Sequence, residues 1–329
     1  MGIHTFELCK NIKCLEELQD IKSKFCFNVN NENVRYCKID EVSGVRICLI
    51  EKSHFAAFKL IINPSVLLGN SDEYASAGAK FDYKIVVEII IKIIELFDIG
   101  MNIEDFHLSR IDLCHDHTFK YKGANYNNKL VHEYIRVLKK DKLPEQWGRS
   151  VPTRFGDDLF QIDTRDFALA VYNKSAEIQN NHGKANADGH CVLRTELRLY
   201  ARGISEYIDF SEKSKLAVCL HYFGAHCNEI LRNFVDDNIP AWRYVTEERI
   251  KRAIDTSCFN TKIKQRLNKF TALLNQNPSQ CVSELLDALC LSKSEKSTLI
   301  KCFRSLNNSP VVTNGINRPL LPLIRLIGG

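Results

Sequence analysis

Residues 83–99 read YKIVVEIIIKIIELFDI and residues 107–119 read HLSRIDLCHDHTF, and the change of period between these two stretches decides the fold. In the first, Lys84, Glu88, Lys92 and Glu95 recur every three or four residues and form one polar stripe on an otherwise apolar helix, with Glu88 and Lys92 in the favourable i,i+4 order. Such a helix lies on a sheet with one edge in water. It is too short and too charged to span a bilayer, and Gly100 stops it. In the second stretch β-branched and leucine residues alternate with polar ones, the pattern of a strand. Upstream, YCKIDEV (36–42), VRICLIE (45–51) and FAAFKLII (55–62) read as antiparallel strands, with a turn at Ser43-Gly44 and an end at Asn63-Pro64. A β-β-α-β unit results.

Downstream the pattern predicts a helix at 127–140, then strands at VPTRF (151–155), DLFQI (158–162), FALAVYNK (167–174) and VLRTELRLY (192–200), with a Gly/Asn-rich loop at 180–189. Strand signals stop near residue 205. Helices are expected at 211–235, 246–255, 261–275, 279–290 and 294–305, and Ser292 and Glu295 have capping-box spacing at the start of the last. Two short helices joined by LSKS (291–294) have the form of a helix-turn-helix, a pairing common in any helical region. The final NRPLLPLIRLIGG shows no clear structure. The expected fold is therefore α+β: a largely antiparallel sheet with packed helices, in two halves of similar plan over 1–210, followed by a helical region over 211–329.

The 329 residues carry 45 Lys+Arg against 40 Asp+Glu, a net +5, and 45% are apolar, which excludes a histone-like or disordered basic protein. Thirteen cysteines are an odd number, no CxxC occurs, and no N-terminal apolar stretch resembles a signal peptide, so reduced thiols in the cytoplasm are expected. The absence of GxxxxGK[ST] and GxGxxG gives no support to ATP or dinucleotide binding. The positive charge is local: residues 242–329 hold 14 basic and 6 acidic side chains, a net +8, and the first 241 carry −3. Arg243, Arg249, Lys251, Arg252, Lys262, Lys264, Arg266 and Lys269 fall on or beside two predicted helices, enough to contact several phosphates with a strong salt dependence.

The two-residue period sorts the strand residues by face. Arg110, Asp112, Cys114 and Asp116 share one face, and His115 and His117 lie on the other. Tyr172 shares a face with Ala168, Ala170 and Lys174; two alanines leave room above the sheet, and a nearby cation suits a phenolate whose free pKa of about 10 makes it inert otherwise. Arg194, Glu196, Arg198 and Tyr200 share a face, and a glutamate between two arginines has the form of an ion-pair ladder. If these polar faces lie on one side of one sheet, Asp112, Asp116 and Glu196 converge as hard oxygen ligands for Mg²⁺ or Mn²⁺ beside Tyr172.

Taken in order, KLIINPSVLL (59–68), LSRIDLCHDH (108–117), TRDFALAVYNKSAE (164–177) and LRTELRLY (193–200) resemble the rolling-circle replication initiators of small Gram-positive plasmids and, more distantly, those of filamentous phages. The resemblance covers roughly residues 55–215. It implies a site-specific DNA nicking and joining endonuclease, with the nucleophile at Tyr172, its following lysine at Lys174, and metal-site acids at Asp112, Asp116 and Glu196, with Glu177 as a further member. Arg110 and Arg194 flank those acids. Two departures stand out: Ala170 where a basic residue is common, and His115 and His117 where apolar or aromatic residues are usual. A bulge at Cys114 would turn that histidine pair to the metal side in place of Asp116.

The implied product is a 5′-phosphotyrosyl link with a free 3′-OH. The implied partners are origin DNA, as duplex and as single-stranded hairpin, a host helicase and polymerase, and a second copy of the chain. A replication control protein of the same fold that binds DNA without cutting it is the alternative.

Overall fold

The computed structural model describes residues 2–31, 34–38, 43–70, 82–121, 123–141, 159–182, 190–209 and 215–327. The chain opens with β1 (Gly2–Asn11), α1 (Leu15–Lys24), β2 (Asn28–Asn31), β3 (Val34–Lys38), β4 (Val45–Lys52), β5 (Phe55–Ile62), α2 (Pro64–Leu67) and α3 (Tyr83–Phe97). It continues with β6 (His107–Phe119), α4 (Ala124–Lys140), β7 (Leu159–Asp163), β8 (Phe167–Asn173), α5 (Lys174–His182), β9 (Cys191–Tyr200) and α6 (Ala201–Ile204). Six helices complete it: α7 (Leu216–Asn238), α8 (Glu247–Thr256), α9 (Thr261–Gln276), α10 (Val282–Ala288), α11 (Lys293–Ser305) and α12 (Leu323–Ile327). The strands form one sheet in the order β2-β3-β4-β5-β1-β6-β9-β8-β7, and pairing from β2 through β6 is antiparallel throughout. The fold is α+β with a helical C-terminal region, as the sequence pattern predicts. The expected strand at 151–155 lies outside the described residues, as does 183–189 of the expected loop, whose first residues, 180–182, close α5.

Two compact units interleave along the chain. One comprises Met1–Asp116, Arg165–Leu169 and Glu196–Ile230, the other His117–Thr164, Ala170–Thr195 and Leu231–Gly329. The first has its core between the sheet and α3. Lys84, Glu88, Lys92 and Glu95 are exposed, while Val86, Ile90, Ile93, Ile94 and Phe97 are buried. Phe97 meets Phe25 edge-on at 5.0 Å and Phe58 of β5 at 6.3 Å. α7 meets α3 closely at Gly224, where a Cβ would run into the Tyr83 ring and hydroxyl, so no larger residue fits without moving the tyrosine. The INPS stretch has a local cause: Asn63 ends β5 and caps α2, its Oδ1 accepting from Ser65 N (3.1 Å) and Val66 N (3.3 Å), with Pro64 at the first helical position.

The second unit is organised around α4 and the C-terminal segment. Asp141, at the end of α4 and 2% exposed, accepts from Trp242 Nε1 (2.5 Å), Tyr244 Oη (2.8 Å) and Ser309 Oγ (3.0 Å). Two turns earlier Tyr134 donates to the Leu321 carbonyl, and Glu133 holds Arg136 (2.8 Å) and the amide of Asn314. The expected shapeless tail is thus folded back onto α4 and ends in α12.

Burial pushes the Asp141 carboxyl up to about 7, against the pull of its three donors. The unfolded value is about 3.9, so the native state holds the proton over that interval. The stability this gives is complete at low pH and is lost as pH rises toward 7. Denaturant unfolding across this range should show that decline. Asp141→Asn, which keeps an acceptor oxygen and offers an amide to Ser309, should flatten it. Asp141→Ala strands three buried donors and should cost on the order of 3 kcal/mol or more.

Candidate active site and basic helices

In the first unit an ion-pair network crosses four neighbouring strands. Arg110 and Asp112, two apart on β6, point the same way and form a bidentate pair, Nε to Oδ1 at 2.8 Å and Nη2 to Oδ2. The β1–β6 register places Glu7 opposite Arg110, and Arg110 Nη1 donates to Glu7 Oε1 at 2.7 Å. Lys59 on β5 takes the other Glu7 oxygen at 3.0 Å. On β9, Arg198 donates through Nε to Asp112 Oδ1 (3.2 Å) and through Nη2 to Glu196 Oε1 (3.1 Å). Asp112, Glu7 and Glu196 are buried.

Burial raises the Asp112 pKa, and the nearby Glu196 charge adds to this against the pull of the two guanidinium groups. For Glu7 burial also opposes ionisation, but Arg110 and Lys59 together outweigh it and hold the carboxyl below its ordinary value.

The structure thus brings together Asp112, Glu196 and Arg110 of the expected site and adds Glu7, Lys59 and Arg198. As arranged, the acids do not fit a divalent cation. Both oxygens of Asp112 and one of Glu196 are held by guanidinium groups, and the three acids are matched by three cations. Among the described residues no group of three or more His, Cys, Asp and Glu side chains is placed to hold a metal. Asp116 lies half-buried four residues further along β6. The β1–β6 register, with shifts at His4 and Ser109, ends at the Gly2–Cys114 pair, and β6 continues past it through His115, Asp116 and His117 to Phe119.

The nucleophile candidate lies in the second unit. Tyr172 is half-buried, next to last in β8. Asn173 locks the junction that follows: its Oδ1 accepts from Ala176 N at 3.1 Å, and its Nδ2 donates to Asn128 Oδ1 at 2.9 Å. Lys174 is the first residue of α5, so the expected two-residue alternation with Tyr172 ends at Asn173. Its ammonium, 6% exposed, pairs with Glu177 at 2.9 Å. Arg194 on β9 is fully buried.

The basic set occupies α8, α9 and the segment before them. Arg243, Arg249, Lys251, Arg252, Lys262, Arg266 and Lys269 are exposed. Lys264 is not a free charge: its Nζ donates to the Asp255 carbonyl at 2.6 Å and ties α9 to the end of α8.

Compared with protein-family models and with curated proteins, the chain matches none. Among the described residues no helix is long and apolar enough to cross a membrane.

Removing one member of the buried network leaves uncompensated charge. Arg110→Ala should cost roughly 3–5 kcal/mol in denaturant unfolding. Mn²⁺ titrated into the intact protein should leave its unfolding midpoint in place, since an ion with no site gives no linkage stabilisation. A midpoint that climbs with Mn²⁺, and ceases to in Asp112→Asn, would show that the arginines give way to the ion.

Proposed function

We propose that the protein is a rolling-circle DNA replication initiator that nicks and rejoins one origin strand through Tyr172. The observation that carries the reading is the placement of Tyr172. It lies half-buried at the end of a strand whose last residue is fixed in a hydrogen-bonded strand-to-helix junction, within four motifs that keep the order and spacing of that family. A nucleophile mounted on a rigid element rather than a loop has less conformational freedom to lose before attack. The exposed basic faces of α8 and α9 supply the charge that duplex DNA requires.

In the proposed reaction the Tyr172 oxygen forms a bond to phosphorus as the bond from phosphorus to the 3′ oxygen breaks. The phenol gives up its proton to solvent and the leaving 3′ oxygen takes one up. The products are a 5′-phosphotyrosine and a free 3′-OH that a host polymerase extends, and reversal by a 3′-OH closes the strand. Lys174, paired with Glu177, provides a buried positive charge two residues from the nucleophile. Tyrosine ionisation near neutral pH is otherwise costly. A host helicase and a second copy of the chain are the partners this reading implies.

Incubation with supercoiled plasmid carrying the cognate origin should give relaxed circles with protein covalently attached to the 5′ end. Tyr172→Phe should abolish both while keeping cooperative unfolding. Lys174→Met should lower the nicking rate and shift its pH profile upward. Origin binding by the unaltered protein with no nicked product would instead indicate a DNA-binding control protein of the same fold.

A further inference from the structure

α9 carries a basic face whose one ion pair among the described residues is Arg266 with Glu295. Lys262, Gln265, Arg266 and Lys269 stand at i, i+3, i+4 and i+7 and all four are exposed, while Leu267, Phe270, Thr271 and Leu274 on the opposite side are buried. The helix TKIKQRLNKFTALLNQ contains four basic residues and no acidic one. It is rigidly mounted. Phe270 meets Phe303 of α11 at 6.0 Å, and Asn260 caps its first turn by accepting from Ile263 N at 2.9 Å. The four residues 257–260 that separate α8 from α9 are bridged by two side chains of α9, Lys264 to the Asp255 carbonyl (2.6 Å) and Asn268 to the Asp255 carboxylate (3.4 Å). Short helix, four-residue turn and clasped second helix form the frame of a helix-turn-helix, a second such pair beside the α10–α11 junction at LSKS.

We propose that α9 is a base-reading helix that enters the major groove of duplex DNA, with Gln265 and Arg266 on base edges and Lys262 and Lys269 on the flanking phosphates. The inference deepens the initiator reading and rests on it only for the identity of the DNA bound. Gln and Arg are the side chains that pair bidentately with adenine and guanine in that groove. Lys262 and Lys269 lie two turns apart, about 10 Å along the axis, close to the groove's width of about 12 Å. Arg249 and Arg252, exposed one turn apart on α8 and without an ion pair among the described residues, suit the phosphates of the strand that the first helix crosses.

One contact sets the helix at rest. Arg266 Nη2 pairs with Glu295 Oε1 at 3.1 Å, with both side chains largely exposed. Glu295 is also the third residue of the α11 capping box, accepting from Ser292 Oγ (2.9 Å) and Ser292 N (3.2 Å). An exposed pair of this kind is weak and holds the guanidinium extended until a guanine replaces the carboxylate. Glu295→Gln keeps the capping geometry, since glutamine serves that position as well, and removes the competing charge.

The test uses full-length Tyr172→Phe protein, so that cleavage does not interfere, with a pool of random-sequence DNA duplexes from which bound molecules are selected and sequenced. An enriched motif is expected. Gln265→Ala and Arg266→Lys should each erase preference at one base position and lower affinity for the enriched duplex about 5- to 150-fold, with affinity for unselected duplex nearly unchanged. Arg249→Ala or Lys262→Ala should weaken both duplexes alike and reduce the salt slope by about one. Glu295→Gln should tighten binding a few-fold. The proposal is overturned if no motif is enriched, if Gln265→Ala and Arg266→Lys with unchanged unfolding midpoints select the same motif as the parent, or if single-stranded RNA or an acidic peptide displaces the duplex at lower concentration. Nicking by the wild-type chain is scored separately, so loss of one reading leaves the other standing.

Discussion

A charge taken out of water must find its opposite within hydrogen-bonding reach, and along the middle of the sheet this requirement links β5, β1, β6 and β9. Lys59, Glu7, Arg110, Asp112, Arg198 and Glu196 alternate in sign across those strands. Each member is placed by the register of its strand: a shift of one residue in β1 would exchange Glu7 for an apolar neighbour and put a bare carboxylate or guanidinium among side chains such as Phe6 and Leu8. Both faces of this part of the sheet are buried, and the charged chain fixes which residues stand opposite one another.

The same chain sets what this face can do. Carboxylates already matched by arginines have little left to offer a cation. In the proposed reaction, electrostatic work at phosphate falls to the basic side chains of α8 and α9 and to the buried Lys174 at the head of α5. Asp112 and Glu196 belong to one compact unit and Tyr172 to the other.

Much of this was legible in the residues. The polar stripe of α3, the alternation in β5, β6 and β9, and the capping-box spacing of α11 all carried strong periodic signals, and their boundaries agree to within a few residues. β1 was not read, although Phe6 and Leu8 alternate with Glu7 and Cys9, because Lys10, Asn11 and Lys13 blur its end. Without β1 there was no Glu7, and without Glu7 the pair Arg110–Asp112 looked like half of a metal site instead of the middle of a ladder. The alternation puts Lys174 on the face of Tyr172 because Asn173 reads as a strand residue; its side chain also accepts from Ala176 N as a local helix cap, and the signal of an Asn before KSAE competes with the strand pattern there. The interleaving of the two units was likewise hidden, since it depends on which strands become neighbours and not on any local pattern.

The folding back of the C-terminal segment onto α4 has a temporal meaning. Asp141 waits for partners 101, 103 and 168 residues later, and Tyr134 for one 187 residues later. During synthesis α4 therefore emerges with Tyr134 and Asp141 lacking these partners. They stay so until the segment from Trp242 to Leu321 has been made, so the second unit closes only once that late stretch is available. For that interval the nascent protein presents an apolar helix face of the kind that chaperones hold.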